Sequence, residues 1–306
     1  MKKMMMAIAM VMMAMSANAQ TLIKGSIQKG DKVTYEVVKK MSAANPMGEG
    51  NAEASVAYTT TFEITDATAE GAVVQATVTA AKLEGDETMQ QDDAFAAYQT
   101  LLNQPVIFTT DANGAAKNLQ NWDDVSKKFY AANAATIEKL VAEHPEITQM
   151  MSKETLIEKA NAAVTEESVL DDITSGIFDL NGKTLKTGDE IVEETKGIKI
   201  KNSYTVTPIL GTVVVVEKSE AAMNEDETKA FVISKLQEEG LPEEQIKMIE
   251  DNWQQMVAMG MAKVDINGTT TYRLGKNGWA QSIETNAVNG VMGVEMKETS
   301  TVKLVQ

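Results

Sequence analysis

Residues 54 to 83 read ASVAYTTTFEITDATAEGAVVQATVTAAKL. Val56, Tyr58, Thr60, Phe62 and Ile64 recur at spacing two, and Val74, Ala76, Val78 and Ala80 do the same on the second arm. Successive side chains of a strand point to opposite faces, so this period predicts a hairpin over 54–65 and 72–83 with one face buried. Working outward, residues 31–41 alternate Val33, Tyr35 and Val37 against Thr34 and Glu36, another half-buried strand. The small, polar residues 43–53, with Pro46, Gly48 and Gly50, predict a flexible loop. A short strand over 105–110 runs into Asp111-Ala112-Asn113-Gly114.

The period then changes. Asn121 stands as an N-cap before Asp123 and Asp124, where the helix dipole favours negative charge. Trp122, Val125, Phe129, Ala132, Thr136 and Leu140 follow at helical steps until His144-Pro145 interrupts. Ser152 is placed to cap a further helix carrying Leu156, Ala160 and Ala163. Strands are expected again from about 176 to 217, with Thr212 to Val216 reading as buried. A second helical block spans Asn224 to Gly260, divided at Gly240 and Pro242. Its apolar face is Ile246, Ile249, Trp253, Met256 and Val257. Residues 262–305 predict three strands turning at Asn267-Gly268, Asn277-Gly278 and Asn289-Gly290.

Strands that come in hairpin runs, with helices gathered between them, define an α+β fold. The expectation is one domain over 20–306. It consists of a large curved antiparallel sheet, open or half-barrel-like, with two helical insertions packed on one face. Lys29-Gly30-Asp31 and Lys186-Thr187-Gly188-Asp189 both open strand blocks, which suggests two halves, 20–175 and 176–306.

Met1-Lys2-Lys3, an apolar run to Met15 and Ser16-Ala17-Asn18-Ala19 form a signal peptide, with cleavage expected between Ala19 and Gln20. The apolar run is too short to span a bilayer. Residues 1–19 would therefore be removed, leaving a periplasmic or extracellular chain. No Cys follows the apolar run, so the chain is not expected to be a lipoprotein, and no disulfide framework exists. A net charge of −16 with a single arginine, Arg273, argues against nucleic acid and anionic lipid surfaces as partners.

The Met-rich leader ending in Ala19-Gln20, the Lys-Gly-Asp openings, Gly182 to Asp189 and the late Tyr272, Gly278-Trp279 pair resemble an uncharacterised secreted β-rich family of Bacteroidota. The resemblance implies export and fold only, and it brings no functional residues.

No catalytic, cofactor or metal set emerges. Gly182-Lys183-Thr184 looks like the end of a phosphate loop, but Ile177 occupies the position where that loop needs its first Gly. Asn181-Gly182 reads as a tight turn instead. Three Asp-x-Asn-Gly runs, at Asp111, Asp179 and Asp265, could start calcium loops but lack the distal bidentate Glu, so turn chemistry is the better reading. His144, the only histidine, cannot build a multi-histidine zinc site and is expected in a surface or capping role. Asp92-Asp93, Asp123-Asp124, Asp171-Asp172, Glu193-Glu194 and Glu243-Glu244 are expected to be solvated surface or helix-start charges. Trp122 and Trp253 belong on apolar helix faces, and Met256, Met259 and Met261 fill core. The leading expectation is a non-catalytic exported protein binding a hydrophobic or lipid-like small molecule. The alternatives are an envelope protein-interaction module and a hydrolase, which would need two carboxylates distant in sequence but facing each other in a pocket.

Overall fold

A computed structural model of the chain describes residues 20–25, 27–44, 51–85, 99–149, 151–195, 197–238, 241–259, 264–291 and 294–305. The leader, most of the 43–53 loop, Asp92-Asp93, Gly240, Gly260 and Met261 lie outside them. Thirteen strands are described: β1 (Thr21–Leu22), β2 (Lys32–Ala44), β3 (Asn51–Thr68), β4 (Gly71–Gly85), β5 (Pro105–Thr110), β6 (Ala116–Leu119), β7 (Thr184–Leu185), β8 (Glu190–Thr195), β9 (Ile198–Ile209), β10 (Thr212–Ala221), β11 (Val264–Leu274), β12 (Ala280–Val291) and β13 (Val294–Leu304). The helices among the described residues are α1 (Trp122–Glu143), α2 (Lys153–Ala163), α3 (Glu166–Thr174), α4 (Glu225–Glu238), α5 (Glu243–Asp251) and α6 (Trp253–Ala258). None is long and apolar enough to cross a membrane.

Eleven strands form one sheet in the order β6-β5-β4-β3-β2-β13-β12-β11-β10-β9-β8, with antiparallel pairing throughout. It is open, ending at β6 and β8, while β1 and β7 make a small separate pair. The sheet curls. In a flat sheet β5 and β12 would lie about 24 Å apart, five strand spacings. Yet Phe178 packs edge-on against both Phe108 of β5 and Trp279 beside β12, with ring centroids 5.4 and 5.6 Å away. The rim shows the same closure in backbone atoms. Gly25 touches the β5–β6 turn, its N–H donating to the Asn113 carbonyl at 3.2 Å. A Cβ on Gly278, in the β11–β12 turn, would stand 2.6 Å from the Gly25 Cα and 2.4 Å from the Lys24 carbonyl oxygen. Residues 23–25 thus tie the two halves of the sheet together at one end of the trough. At the other end the strand termini around 41–44, 51–54, 264–268 and 294–298 form its mouth.

The main core occupies the concave face. α1 and α3 cover its closed end through Val125, Phe129, Val169, Leu170 and Ile173. The second insertion departs from expectation. α4 to α6 join β10 to β11 at the mouth and bury Val232 and Trp253 in a small cluster of their own, outside the main core. Their apolar faces meet each other rather than the sheet.

The structure departs from the local sequence pattern in several places. A bulge at Thr59/Thr60 shifts the register, so Ala81 and Leu83 take the inner phase and Ala80 faces solvent. Asn267-Gly268 and Asn289-Gly290 lie within β11 and β12, paired to Val288, Ala287, Ile266 and Asp265, so among the three expected turns only Asn277-Gly278 reverses the chain. Residues 175–182 are successive turns before β7. In β10 only Val215 is buried, because Val214 and Val216 point to the outer face. On α1, Ile137 rather than Thr136 is buried. Asn121 precedes α1 but its side chain does not cap it. Instead it accepts from Ile107 N–H and donates to the Pro105 carbonyl, both at 2.9 Å, stitching the helix entry to β5. Ser152 does cap, accepting from Thr155 N–H. The two Lys-Gly-Asp openings share one geometry. Asp31 and Asp189 each accept from the backbone N–H three residues earlier, and each turn exchanges backbone hydrogen bonds with one strand residue, Ile64 or Tyr204.

Candidate functional site in the trough

Cross-strand register sorts the inner face into layers by depth. The deep layer runs Val206, Val215, Tyr272, Ile283, Val302, Val37, Tyr58, all buried. One step toward the mouth, the chemistry changes. This layer reads Tyr204, Glu217, Thr270, Thr285, Ser300, Lys39 and then Val56. The next inner layer reads Asn202, Ser219, Gly268, Ala287, Glu298, Met41 and Ala54, and only the outermost inner positions, Ile200, Ala221, Ile266 and Ala43 among them, are half-exposed and largely apolar. A polar band, two layers deep along β9 to β11, therefore lies between an apolar floor and a largely apolar rim.

The band has two poles. At β2, Lys39 pairs with Asp172 of α3 at 3.5 Å. Burial works against its charge, but Tyr58, Asp172 and Glu298 outweigh burial and hold the ammonium above its usual range. The Tyr58 hydroxyl meets Ser175 Oγ just past α3, fixing the helix end over the strand. At β8–β11 the pole is acidic. Glu217 accepts from both the Tyr204 hydroxyl, at 3.1 Å, and the Tyr272 hydroxyl, at 3.3 Å. Burial pushes both phenols well above their ordinary pKa, with Glu217 reinforcing it. Glu193 accepts from Asn202 Nδ2 at 3.2 Å and pairs with Lys183 Nζ at 3.6 Å.

Asp179 stands beside this group, reached through the turns after α3. Its side chain is exposed, while its neighbours Ile177, Phe178 and Leu180 are buried. Desolvation pushes its carboxyl from 3.8 up to about 6, Asp171, Glu217 and Glu193 push the same way, and Lys183 opposes. Asn202 is 5 % exposed, and its Oδ1 has no hydrogen-bond partner among the described residues.

Among the described residues the paired acids are exposed, as expected, at Asp123, Asp124, Asp171, Glu193, Glu194, Glu243 and Glu244, and only Asp172, paired with Lys39, is half-buried. The other motifs resolve as structure. Asp111 accepts from Asn113 and Ala115 N–H at 2.8 and 3.1 Å, a turn bond. Asn181 donates to the Gly114 carbonyl at 2.9 Å, locking that turn to its own, and Gly182 adopts φ +84. Asp265 lies in β11. No group of three His, Cys, Asp or Glu among the described residues is placed to hold a metal. His144 follows α1 and sits 3.2 Å from Glu146 on the surface. Trp122 is half-buried against the core, Trp253 is buried, and Met259 is exposed.

No family model matches the chain, and no curated protein does. Among solved structures it is similar to lipovitellin, described under lipid–protein interactions in that protein. The TM-score is 0.47 at 11 % identity, over 91 % of this chain and 25 % of lipovitellin. It is also similar to Rv2717c from M. tuberculosis, with TM-score 0.23, 6 % identity, and 92 % and 94 % of the two chains covered. DynF from the dynemicin biosynthesis pathway of Micromonospora chersina gives 0.20 at 6 %, over 94 % and 86 %. The chain thus spans about a quarter of lipovitellin's length. All three scores are low, and none of these likenesses assigns the chain an activity.

Proposed function

We propose that the chain is an exported, non-catalytic protein that binds an amphiphilic, lipid-like small molecule in the trough. The observation that carries this is the layering of the inner face, an apolar floor, a polar band and a half-exposed, largely apolar rim. A ligand with an alkyl part and a polar end would satisfy both at once. Native mass spectrometry of the protein purified gently from its own host tests it. The expected result is an added mass on the order of a few hundred daltons that leaves on denaturation. Bare protein from several growth conditions, with no uptake of added lipids, would overturn the reading.

Asp179 and Glu217 support a second reading, hydrolysis. They are far apart in sequence, Glu217 is among the charges that raise the Asp179 carboxyl, and a carboxyl at about 6 suits a general acid. Turnover of a chromogenic ester or glycoside, abolished by Asp179→Asn, would favour it over binding alone.

A further inference from the structure

We propose that the tip of the β9–β10 hairpin docks on a membrane, setting Ile209 and Leu210 into the surface of an anionic bilayer. This goes beyond the trough reading and does not depend on it.

Ile209 pairs with Thr212, so the connecting loop is Leu210-Gly211 alone. Both loop residues have positive φ, +44 and +88, as the tight turn that matches strand twist requires. Asn-Gly or Gly-Gly is the usual occupant, because a larger side chain crowds the left-handed backbone. Asn103 and Ser175, the other non-glycine residues with positive φ among the described residues, are small and polar. Leu210 is neither. It is also 101 % exposed, beside Ile209 at 50 %. A leucine at this tip costs stability through backbone strain and gains none through burial, so the fold itself does not account for it. A bilayer interface supplies the missing burial, taking up apolar side chains that a rigid support presents to it.

Charge selects the kind of interface. The net charge of −16 sets the chain as a whole against anionic surfaces, yet at this corner the cations lead. Arg273 is exposed on the outer face, opposite Val214 near the start of β10. The Lys276 side chain lies over Gly211, where its Cγ and Cδ would stand 3.3 Å from a Cβ, so its ammonium flanks the tip. Lys24 and Lys186 belong to adjoining segments. The Lys24 backbone meets the β11–β12 turn at Gly278, and Thr187, next to Lys186, bonds the Val206 backbone. Asp189 and Glu284 stand in the same region, but none of the four cations forms an ion pair among the described residues. Cations flanking an apolar tip match lipid phosphates lying above acyl chains. With the tip in the bilayer, the mouth of the trough points away from it.

Vesicle flotation of the full mature chain tests this, comparing phosphatidylcholine alone with an equal mixture of phosphatidylcholine and phosphatidylglycerol. The expected result is flotation with the mixed vesicles, at about tenfold higher affinity than with phosphatidylcholine and weakened by salt. Leu210→Asn should lower the affinity for mixed vesicles about tenfold. Asparagine suits this turn better than leucine, so the variant folds and its loss cannot be assigned to unfolding. Arg273→Gln with Lys276→Gln should remove the preference for mixed vesicles. Met248→Gln, at an exposed apolar position on α5, should change neither. A parent chain that does not float, a Leu210→Asn variant that floats equally well, or an equal loss in the Met248→Gln control overturns the proposal. Self-association of the parent without vesicle binding, absent in Leu210→Asn, would make the tip a contact between copies of the chain and equally overturn the membrane assignment.

Discussion

Asp179 sits in the apolar run Ile177-Phe178-Asp179-Leu180, whose three neighbours are buried in the main core. Its carboxyl, pushed from 3.8 to about 6, holds a proton in the folded state that the unfolded chain has released. Folding stability therefore falls as pH rises from about 4 to about 6, and the penalty persists above that range. Asp171, Glu193, Glu217 and Lys183 face the group, and Tyr272 lies within its field, so removing its charge relieves several neighbours together. Asp179→Asn should stabilise the protein at neutral pH by on the order of 1 kcal/mol, discounted because the side chain keeps a solvent-facing side. Around pH 4 the two proteins should unfold at the same denaturant concentration. Urea titrations at both pH values check this, and an equal or lower midpoint for the variant at neutral pH would refute it. A position that destabilises its own fold is a common mark of a site kept for binding or chemistry.

Turns and strands show where local reading succeeds. The hairpin of β3 and β4, the strand 105–110 and the cap at Ser152 were legible because each depends on neighbours within a few residues. The bulge at Thr59/Thr60 was not, since a register shift depends on the partner strand. Asn-Gly marked a true reversal at 277–278 but not at 267–268 or 289–290, where long pairing partners keep the backbone extended. The acidic pole was missed for the same reason, because β8 to β11 and the turns after α3 meet only in the folded sheet. A signal did exist. Glu217 continues the spacing of Val213 and Val215, and Asn202 that of Tyr204 and Val206, so each is a polar residue on the core phase of a strand. Such residues are retained where something must be held. The clearest mechanical demand falls on Gly278. It combines φ +79 with a backbone contact that a Cβ would violate, at 2.4 Å from the Lys24 carbonyl oxygen. Gly278→Ala should cost about 2 to 3 kcal/mol, more than left-handed strain alone. Thermal melting checks it, and an unchanged midpoint would show that the rim relaxes without loss.

Across the whole molecule, stability should be graded along the trough. Residues 23–25, the turns at 111–115 and 275–278, and the ring cluster around Phe178 all lie at the closed end. Phe178 touches Phe62, Phe108 and Trp279 edge-on, so it joins strands that neighbour one another only because the sheet curls. Phe178→Ala removes that joint and leaves a void, a loss of about 3 to 5 kcal/mol. Among the described residues the mouth has no comparable cluster on the sheet itself, and the helical cap α4–α6 keeps its small core to itself. Local opening follows buried contact, so amide exchange should be slowest in β2 to β4 and β11 to β13 near their closed ends. The same strands should exchange faster toward 41–44, 264–268 and 294–298. An amphiphile bound in the trough adds contacts from the polar band to the mouth, so its protection should appear there and fade toward the closed end. Hydrogen exchange with and without dodecylamine reads both gradients in one experiment. Uniform protection along each strand would mean that the curled sheet opens as one cooperative unit, and protection confined to the outer face would place the ligand outside the trough.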